Sequence, residues 1–383
     1  MHYFLIAGEA SGDLHGSHLI KALKHYDHEA VVTFLGGDLM SAAAGEQPII
    51  HYRDMAFMGF SEVLRNLGKV TGNLSKAKNA LEMAMPDALI LIDYPSFNLK
   101  VAAKAAKLGI PVYYYISPKI WAWKKWRVRD IRKLIRRVFC ILPFEPDFYK
   151  DNDYNRAVYV GNPSVAEIDT ALRNAPQRQD FLRRHKLRDR ALIALMPGSR
   201  RGEIRNNLPI MIAAADTFPQ YRGIIVGAPG IDDSLYAEFG AKNIPVVRED
   251  NASAILAHCR AALVTSGTAT LETALAGVPQ VVCYRANGSK ISYDLMKRIL
   301  DIDYVSLPNL IAGEMIVPEM LLHTCTPELV AEQLAPLLRL DSDARNAQIA
   351  GYQRIRHILG TTDAAATSAN AITKDLITAK KHR

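Results

Sequence analysis

The chain has 383 residues, of which 49% are apolar and 22% are charged, a composition typical of an ordinary folded protein with room for two domains. No apolar run approaches the length that spans a bilayer, and the first residues lack the basic start of a signal peptide, so we expect a cytoplasmic protein. The net charge of +8 indicates an anionic partner, such as nucleic acid, anionic lipid or a phosphorylated substrate.

Strand-like apolar runs alternate with helical segments along almost the whole chain. The runs lie at 2–8, 31–35, 87–92, 111–116, 138–142, 157–160, 191–196, 222–227, 245–247, 260–265 and 280–284. This alternation predicts α/β domains with mostly parallel sheets and helices on both faces. The charged segment 174–190 is interpreted as the connection between two such domains.

The first strand runs into a glycine-containing turn that opens a helix. Gly8 permits a tight turn and close backbone approach, while Glu9, Ser11 and Asp13 place polar groups where a hydroxylated ligand could be held. The glycine spacing is not that of a dinucleotide-binding loop, so an NAD site is disfavoured. The alternative is an ordinary β–α turn in which Asp13 is only a charge at the helix start. Three polar side chains on one turn favour a binding site.

The strand at 87–92 ends in the carboxylate of Asp93. Doubly wound folds bind their ligands at the carboxyl ends of strands, and a base that deprotonates a sugar hydroxyl would be placed there. The alternative is that Asp93 or Ser96 caps the next helix. We interpret Asp93 as functional.

An apolar stripe with basic flanks runs through 57–74 at helical spacing. Its members are Met58, Phe60, Val63, Leu64, Leu67, Val70 and Leu74. Most such stripes face a core. The irregular spacing of the first members keeps a membrane-surface helix as the alternative.

All three tryptophans of the chain fall in the basic segment 119–127. Stacking on nucleic-acid bases and contact with lipid headgroups are two interpretations of this pattern. The third is a solvated basic helix with its tryptophans packed inward, which is the interpretation we adopt for Trp126.

Two loops in the second half follow apolar strands and precede helices, one ending at Arg200 and the other at 266–268. A helix start offers unpaired N–H groups and the positive end of the helix dipole, which suit a phosphate. Arg200 would lie beside a bound pyrophosphate, and Glu272 could reach a ribose hydroxyl. The alternative is a capped helix with Ser266 or Thr268 as the N-cap residue. Two such loops at strand ends are expected to line one crevice.

The segment 303–313 is short, contains both proline and glycine, and carries Asn309. This asparagine either forms a turn or faces the same crevice.

The cysteines are far apart and follow no metal-ligand spacing. They are Cys140, Cys259, Cys283 and Cys325. Three of them lie in or beside apolar runs, as small core residues do, so the pattern predicts a reduced protein without a structural metal.

Taken in chain order, these segments resemble the family of lipid-A-disaccharide synthases, the glycosyltransferases of Gram-negative lipid A biosynthesis. The resemblance rests on Ala7-Gly-Glu-Ala-Ser-Gly-Asp13, Met58-Gly59, Ile92-Asp-Tyr-Pro-Ser-Phe-Asn98, Ser117-Pro-Lys-Ile-Trp-Ala-Trp123, Leu142-Pro-Phe-Glu145, Pro197-Gly-Ser-Arg200, Ser266-Gly-Thr-Ala-Thr-Leu-Glu272 and Leu307-Pro-Asn-Leu310. Each motif alone is common, whereas the ordered set is specific and spans most of the chain. One departure is Asn162, where the family commonly has histidine.

The resemblance implies a GT-B architecture, with two Rossmann-like domains facing across a cleft. Residues 1–170 would form the acceptor and membrane side, 190–340 the UDP-sugar donor side, and 341–383 helices that cross back to the N-terminal domain or to a partner subunit. The implied reaction joins UDP-2,3-diacylglucosamine to 2,3-diacylglucosamine 1-phosphate. It inverts the anomeric centre, gives the β-1,6 disaccharide 1-phosphate and UDP, and needs no cofactor or metal.

On the acceptor side, the resemblance assigns Asp93 as the general base for the 6-hydroxyl of the acceptor sugar. Glu9 and Ser11 would orient sugar groups, and Gly8 and Asn309 would lie in the cleft.

On the donor side, the leaving diphosphate would be stabilised by Arg200 and by the N–H groups at Ser266, Gly267 and Thr268. Glu272 would hold the ribose.

Because both substrates are acylated, the resemblance implies peripheral attachment to the cytoplasmic face of the inner membrane. We expect Met58, Val63, Leu64 and Leu67 to form the membrane face, and a homodimer is a possible assembly. A UDP-sugar epimerase with the same cleft is one alternative and needs no acylated acceptor. A non-enzymatic basic RNA-binding protein is another, which would explain the tryptophan segment but not the loops at the strand ends.

Overall fold

A computed structural model describes residues 1–55, 67–123, 125–241, 243–249, 251–285 and 303–381 of the chain. The chain divides into two compact units. The first consists of Met1–Pro163 together with Thr361–Arg383, and the second is Ser164–Gly360.

The first unit is built on a parallel sheet with the strand order β2-β1-β3-β4-β5-β6. Its strands are β1 (His2–Ala7), β2 (Val31–Leu35), β3 (Ala88–Ile92), β4 (Val112–Tyr115), β5 (Arg137–Cys140) and β6 (Ala157–Tyr159). The central strands are buried on both faces, which is why their sequences are nearly continuous apolar runs.

Helices connect these strands. In the described residues of the first unit they are α1 (Ala10–Tyr26), α2 (Asp38–Ala44), α3 (Leu67–Ala84), α4 (Pro95–Lys107), α5 (Ile120–Trp123), α6 (Val128–Leu134) and α7 (Glu145–Asp151), with 3₁₀ turns at Tyr52–Asp54 and Lys125–Arg127. Alternate strand residues enter separate cores on the two sheet faces. Phe4 and Tyr114 belong to one core, whereas Tyr3 and Tyr113 belong to the other.

The second unit repeats this arrangement with the strand order β12-β11-β10-β7-β8-β9, again parallel throughout the described pairs. Its strands are β7 (Leu192–Met196), β8 (Arg222–Val226), β9 (Val246–Val247), β10 (Cys259–Thr265), β11 (Gln280–Tyr284) and β12 (Glu319–Leu321). Each of the predicted strand-like runs overlaps one strand of the structure, and the ends differ by at most two residues. The sequence did not predict β12, because three half-buried residues give no recognisable pattern.

In the described residues after β6 the helices are α8 (Pro163–Arg173), α9 (Arg178–Arg184), α10 (Arg201–Asp216), α11 (Asp233–Glu238), α12 (Ala252–Leu256), α13 (Thr268–Leu275), α14 (Leu307–Ala312), α15 (Pro327–Leu338), α16 (Asp343–Leu359) and α17 (Ala364–Lys381), with a 3₁₀ turn at Leu322–Thr324. The interpretation of 174–190 as a connection was wrong. Phe181 and Leu182 of α9 are buried in the core of the second unit, so this charged segment is part of that unit.

The C-terminal residues divide between the units. Helix α16 belongs to the second unit, whereas α17 belongs to the first, where it packs on α1. The Tyr113 hydroxyl donates to the Asp375 carboxylate at 2.6 Å, and the Arg136 guanidinium donates to the same carboxylate. A charged network therefore fixes α17 to the first sheet.

Candidate active site

The carboxyl ends of the central strands of the first unit lie side by side. In the sheet register Ala7 is opposite Ile92, Ile92 is opposite Tyr115, and Tyr115 is opposite Phe139. The loops that follow β1, β3, β4 and β5 are therefore neighbours at one edge of the sheet. The sequence-predicted residues Gly8, Glu9 and Asp93 belong to these loops.

Asp93 follows β3 with a left-handed backbone conformation, at φ +41°, and Tyr94 continues it at φ +47°. The Asp93 carbonyl accepts hydrogen bonds from the Asn98 amide at 2.7 Å and from the Tyr114 hydroxyl at 2.6 Å. Ile116, at the end of the adjacent strand β4, is also left-handed at φ +62°. Such conformations are costly for residues other than glycine and concentrate at functional sites. Two buried side chains thus hold Asp93 in a strained conformation.

The surroundings of Asp93 suit a base. Burial raises the pKa of the Asp93 carboxyl above its ordinary value, and the charge of Lys119 and, more weakly, that of His15 oppose this rise. A carboxylate with a raised pKa accepts a proton more readily, provided that the pH stays above that pKa. The side chain remains partly accessible, so a hydroxyl group can reach it.

Gly8 is buried, and the space beside its α-carbon is filled by Tyr94. A β-carbon on Gly8 would lie 2.4 Å from Cδ1 of the Tyr94 ring, which is closer than real β-carbons approach. Tyr94 packs against Phe97 and donates its hydroxyl to the Met55 carbonyl at 2.9 Å. Glycine at position 8 therefore allows the Tyr94 ring to pack against β1 next to Asp93.

Glu9 is the N-cap residue of α1 and is half-buried, while Ser11 in the first turn is exposed. The pKa of Tyr94 is raised, first by burial and then by the charge of Glu9, which places the Glu9 carboxylate near the Tyr94 ring. Both predicted polar residues thus lie at the sheet edge that carries Asp93.

Asp13 does not serve this edge as a ligand group. Its side chain is 3% exposed and accepts hydrogen bonds from the N–H groups of Gly37 at 2.7 Å, Met40 at 3.0 Å and Leu39 at 3.1 Å. A carboxylate in this position caps the start of α2. The prediction that Asp13 helps to hold a ligand was wrong, because its carboxylate caps α2. The sequence did not indicate this role, since the capped residues lie more than twenty positions away along the chain.

A buried carboxyl that the sequence did not single out lies at the same edge. Glu145 is 1% exposed, and it accepts hydrogen bonds from the Trp121 indole N–H and from the Leu142 N–H, each at 3.1 Å. Burial raises the pKa of Glu145 to about 7, against the opposing hydrogen bonds and the charge of Lys119. The available signal was an acidic residue shortly after a strand in the motif Leu142-Pro-Phe-Glu145.

Asn162, where the family commonly has histidine, has a defined position in the structure. Asn162 is 4% exposed and donates its side-chain amide to the Ile141 carbonyl at 2.9 Å. It therefore joins the loops that follow β5 and β6.

In the second unit the two predicted loops are adjacent. Val264 of β10 is opposite Met196 of β7 in the register, so the loop ending at Arg200 and the loop 266–268 leave neighbouring strands at the same edge. The Glu203 carboxylate accepts from the backbone N–H of Ser199 at 3.1 Å and contacts the Arg200 guanidinium at 3.3 Å. The Arg200 side chain is 62% exposed, so its charge, paired with Glu203, lies at the surface of this edge.

The second loop leads into α13. Gly267 adopts φ +153° and ψ −159°, a conformation that is essentially restricted to glycine. Thr268 is the exposed first residue of the helix, and Glu272 lies half-buried one turn later. The Ser266 hydroxyl donates to the Val305 carbonyl at 3.1 Å, so its proton is engaged and the donor that Ser266 offers to an anion is its backbone N–H. The helix start is thus built as a phosphate site would require.

Asn309 is not a ligand-facing residue. It is fully buried, and its amide donates to the Val317 carbonyl and to the Glu319 carboxylate, both at 2.9 Å. Its oxygen accepts from the N–H groups of Ile316 at 2.7 Å and Val317 at 2.9 Å. Two donors and two lone pairs are all that an amide side chain has, so the predicted place of Asn309 in the cleft is corrected to a structural role.

Comparison with known proteins decides the family. The profile of the lipid-A-disaccharide synthetase family matches residues 3–372. A lipid-A-disaccharide synthase of Myxococcus xanthus is 38% identical over 379 residues, covering 96% of this chain and 96% of that protein. One from Syntrophus aciditrophicus is 36% identical over 375 residues, covering 95% of each chain. The chain belongs to the lipid-A-disaccharide synthetase family. Membership confirms the predicted glycosyltransferase of lipid A disaccharide synthesis and does not favour the epimerase or the RNA-binding alternative.

Solved structures of other proteins agree with the fold of this chain. A UDP-GlcNAc 2-epimerase from Neisseria meningitidis, bound to UDP-GlcNAc, matches with a TM-score of 0.63 at 13% identity and covers 99% of this chain and 100% of that one. The glycotransferase of kitacinnamycin matches with a TM-score of 0.61 at 15% identity, covering 97% and 98%. These likenesses confirm the predicted α/β fold of GT-B type, with two doubly wound domains.

In the basic segment 119–127, the structure contradicts the prediction for Trp126. Trp121 is buried, but Trp126 is 61% exposed, with the Arg127 guanidinium 5.5 Å from its ring centroid. Trp126 is therefore not packed inward. Arg127 also donates to the Ser96 hydroxyl at 2.9 Å, which ties this basic segment to the first turn of α4, the helix that follows Asp93.

The predicted membrane face lies mostly outside the described residues. Met58, Val63 and Leu64 fall in 56–66, and Leu67 is the first residue of α3. No helix in the described part of the chain combines the length and the apolarity that a membrane crossing requires.

Proposed function

We propose that this chain transfers the diacylglucosamine group of UDP-2,3-diacylglucosamine to the 6-hydroxyl of 2,3-diacylglucosamine 1-phosphate, forming the β-1,6 disaccharide 1-phosphate and UDP. Family membership supports the reaction. The observation that carries the mechanism is Asp93, a strained and partly accessible carboxylate with a raised pKa at the carboxyl edge of the first sheet.

Asp93 acts as the general base. Its carboxylate takes the proton from the acceptor 6-hydroxyl while that oxygen attacks the anomeric carbon of the donor from the face opposite UDP. The new carbon–oxygen bond forms as the bond to the diphosphate breaks, so the anomeric configuration inverts and the electron pair leaves with UDP. Glu9 and Ser11, at the same sheet edge, orient hydroxyl groups of the acceptor sugar.

The second unit binds the donor. Negative charge grows on the diphosphate as its bond to the sugar breaks, and the exposed Arg200 side chain and the N–H groups at 266–268 are placed on adjacent loops to stabilise it. Glu272 holds the ribose. In this proposal protein groups carry the leaving-group charge, so the reaction needs neither a metal nor a cofactor.

The acylated substrates require contact with the cytoplasmic face of the inner membrane. We assign this contact to Met58, Val63, Leu64 and Leu67, since an apolar stripe with basic flanks suits an interfacial helix. Replacing all four by serine should move the protein from the membrane fraction to the soluble fraction without unfolding it. Unchanged partitioning would show that another surface makes the contact. The proposal includes a homodimer, for which light scattering should give twice the chain mass of 42.4 kDa.

The test of the reaction is product formation from UDP-2,3-diacylglucosamine with and without the acyl monosaccharide 1-phosphate, in buffer containing a chelator. Disaccharide and UDP formed in equal amounts, and only when the acceptor is present, would support the transferase. UDP release without the acceptor would indicate hydrolysis or epimerase-like chemistry instead. Loss of the reaction in the chelator, restored by a divalent cation, would refute the metal-free step.

A further inference from the structure

The Glu145 carboxyl, which the reaction above does not use, is built into the loop that borders Asp93. One carboxylate oxygen accepts from the Trp121 indole N–H and the other from the Leu142 N–H, both at 3.1 Å. The Trp121 ring meets the Phe144 ring edge-on at a centroid distance of 5.0 Å. Trp121 and Glu145 are 7% and 1% exposed, so their contact is closed to water.

Trp121 anchors one end of the segment 116–121. At the other end Ile116 is held left-handed, and the Ser117 hydroxyl lies 2.9 Å from the Tyr149 hydroxyl of α7, the helix that begins at Glu145. Between these anchors only Lys119 is exposed. Its ammonium is close enough to Asp93 and to Glu145 to lower the pKa of both carboxyls. The position of Lys119 relative to Asp93 therefore depends on how the segment is anchored.

We propose that Glu145 is a positioning residue for the transfer reaction. In its ionised form Glu145 anchors Trp121 and thereby fixes the segment 116–121. The Lys119 ammonium then stays beside Asp93 and keeps that base ionised. This inference rests on the proposed role of Asp93 as general base, and it adds a second carboxyl whose ionisation the reaction requires.

The chemistry of the carboxyl explains the requirement. The Trp121 indole N–H, the Leu142 N–H and the Ser117 hydroxyl all face Glu145. An ionised carboxylate accepts from both N–H groups, whereas a protonated carboxyl carries its proton on one oxygen, which then no longer accepts as well from the N–H that faces it. The other titratable groups around Glu145 are Lys119, Cys140, Tyr149 and Tyr159. The pKa values of the thiol and the two phenols are raised, mainly by burial, so these groups stay neutral at neutral pH and Lys119 supplies the nearby positive charge.

The reaction should lose rate as the pH falls. Burial raises the pKa of Glu145 to about 7, so its carboxylate form, and the anchored loop, are lost as the pH falls through that value. The acid limb of kcat/KM should then report two ionisations, those of Asp93 and Glu145.

The test is the pH profile of kcat/KM for two variants that should move it in opposite directions. Glu145→Gln removes one ionisation, so the acid limb of its profile should become shallower and move to lower pH. Its plateau in kcat/KM should fall about tenfold, because an amide N–H group now faces an N–H donor. Trp121→Phe keeps an aromatic ring but removes one donor to the carboxylate, so its acid limb should move about one pH unit upward. Trp126→Phe, at the exposed tryptophan, is the matched control and should leave the profile unchanged.

Each outcome bears on the proposal. Opposite displacements in the two active variants would support it, since a merely structural role would lower the rate or the melting temperature without moving the acid limb. Should Glu145→Gln fail to fold, the upward displacement in Trp121→Phe alone would decide. Active variants that retain the wild-type acid limb would overturn the positioning role while leaving the transferase intact. A wild-type protein that makes no disaccharide would overturn the proposed function itself.

Discussion

The hydroxyl of Tyr114 is the contact whose removal best tests how Asp93 is held. It donates to the Asp93 carbonyl at 2.6 Å, and the Asn98 amide donates to the same carbonyl at 2.7 Å. Tyr114→Phe removes one of these two ties without changing the packing of the ring. Because the carbonyl keeps its second partner, we expect a loss of only about 1 kcal/mol in the free energy of unfolding. That corresponds to about 2–4 °C in melting temperature for a unit of this size.

The same substitution should cost more in catalysis than in stability. Asp93 at φ +41° occupies a conformation that costs on the order of 1–3 kcal/mol, and it persists only while its surroundings hold it. If losing one tie weakens the competent conformation by about 1.4 kcal/mol, kcat falls about tenfold. The assay is the initial rate of disaccharide formation at saturating concentrations of both substrates, paired with thermal unfolding.

The neighbouring tyrosine provides the control. Tyr113 lies on the opposite face of the same strand, and its hydroxyl donates to the Asp375 carboxylate, also at 2.6 Å. Tyr113→Phe removes a charge-assisted bond and should lower stability at least as much, by about 1.5–3 kcal/mol, but it should leave kcat unchanged. Equal losses of kcat in the two variants, or full kcat in Tyr114→Phe, would refute the claim that this bond positions the base.

Gly8, Asn309 and Arg200 each make a contact that a single substitution tests. Gly8→Ala should destabilise the protein by about 1–3 kcal/mol and lower kcat, because its β-carbon collides with the Tyr94 ring. Gly72→Ala, on the open face of α3, is the control and should stabilise the protein by about 0.5–1 kcal/mol. Thermal unfolding of both variants distinguishes the two effects. Asn309→Asp should lower the free energy of unfolding by about 3–5 kcal/mol, since it buries a carboxylate against two acceptors. A melting temperature within 2 °C of wild type would contradict this account, because it corresponds to a loss of less than about 1 kcal/mol for a unit of this size. Arg200→Ala should lower kcat about 100-fold by removing charge from the leaving diphosphate, and an unchanged kcat in steady-state assays would remove Arg200 from the mechanism.

The sequence was sufficient for features that local pattern or covalent position determines. Strands β1, β3 and β10 are nearly continuous apolar runs because both faces of their sheets are covered, and a parallel sheet places the carboxyl ends of its strands at one edge. That rule predicts that Glu9 and Asp93 lie at one sheet edge, and likewise Arg200 and 266–268. The strand order, in which β1 pairs with β3 and β7 with β10, is what makes them neighbours. The ordered motifs then predicted the family, which the comparisons confirm.

Features that depend on distant partners could not be predicted. Asp13 meets the N–H groups of another helix, and Asn309 closes a loop that forms only when β12 pairs with β11. The pKa of Glu145 is raised because tertiary packing buries its carboxyl, and the Trp121 indole that hydrogen-bonds to it lies 24 residues away along the chain. In each case the residue type allowed a surface or ligand role, and only tertiary packing shows that the side chain is enclosed.

The central claim is that the Asp93 carboxylate accepts the proton of the acceptor hydroxyl. The most direct measurement is the single-turnover rate of disaccharide formation by Asp93→Asn, compared with wild type at the pH where the wild-type rate is highest. The amide keeps the size of the side chain but cannot take the proton, so we predict a rate lowered by at least about 100-fold. Donor affinity and melting temperature should stay close to wild type. A variant that forms disaccharide at the wild-type rate would contradict the account, since the base would then be another group.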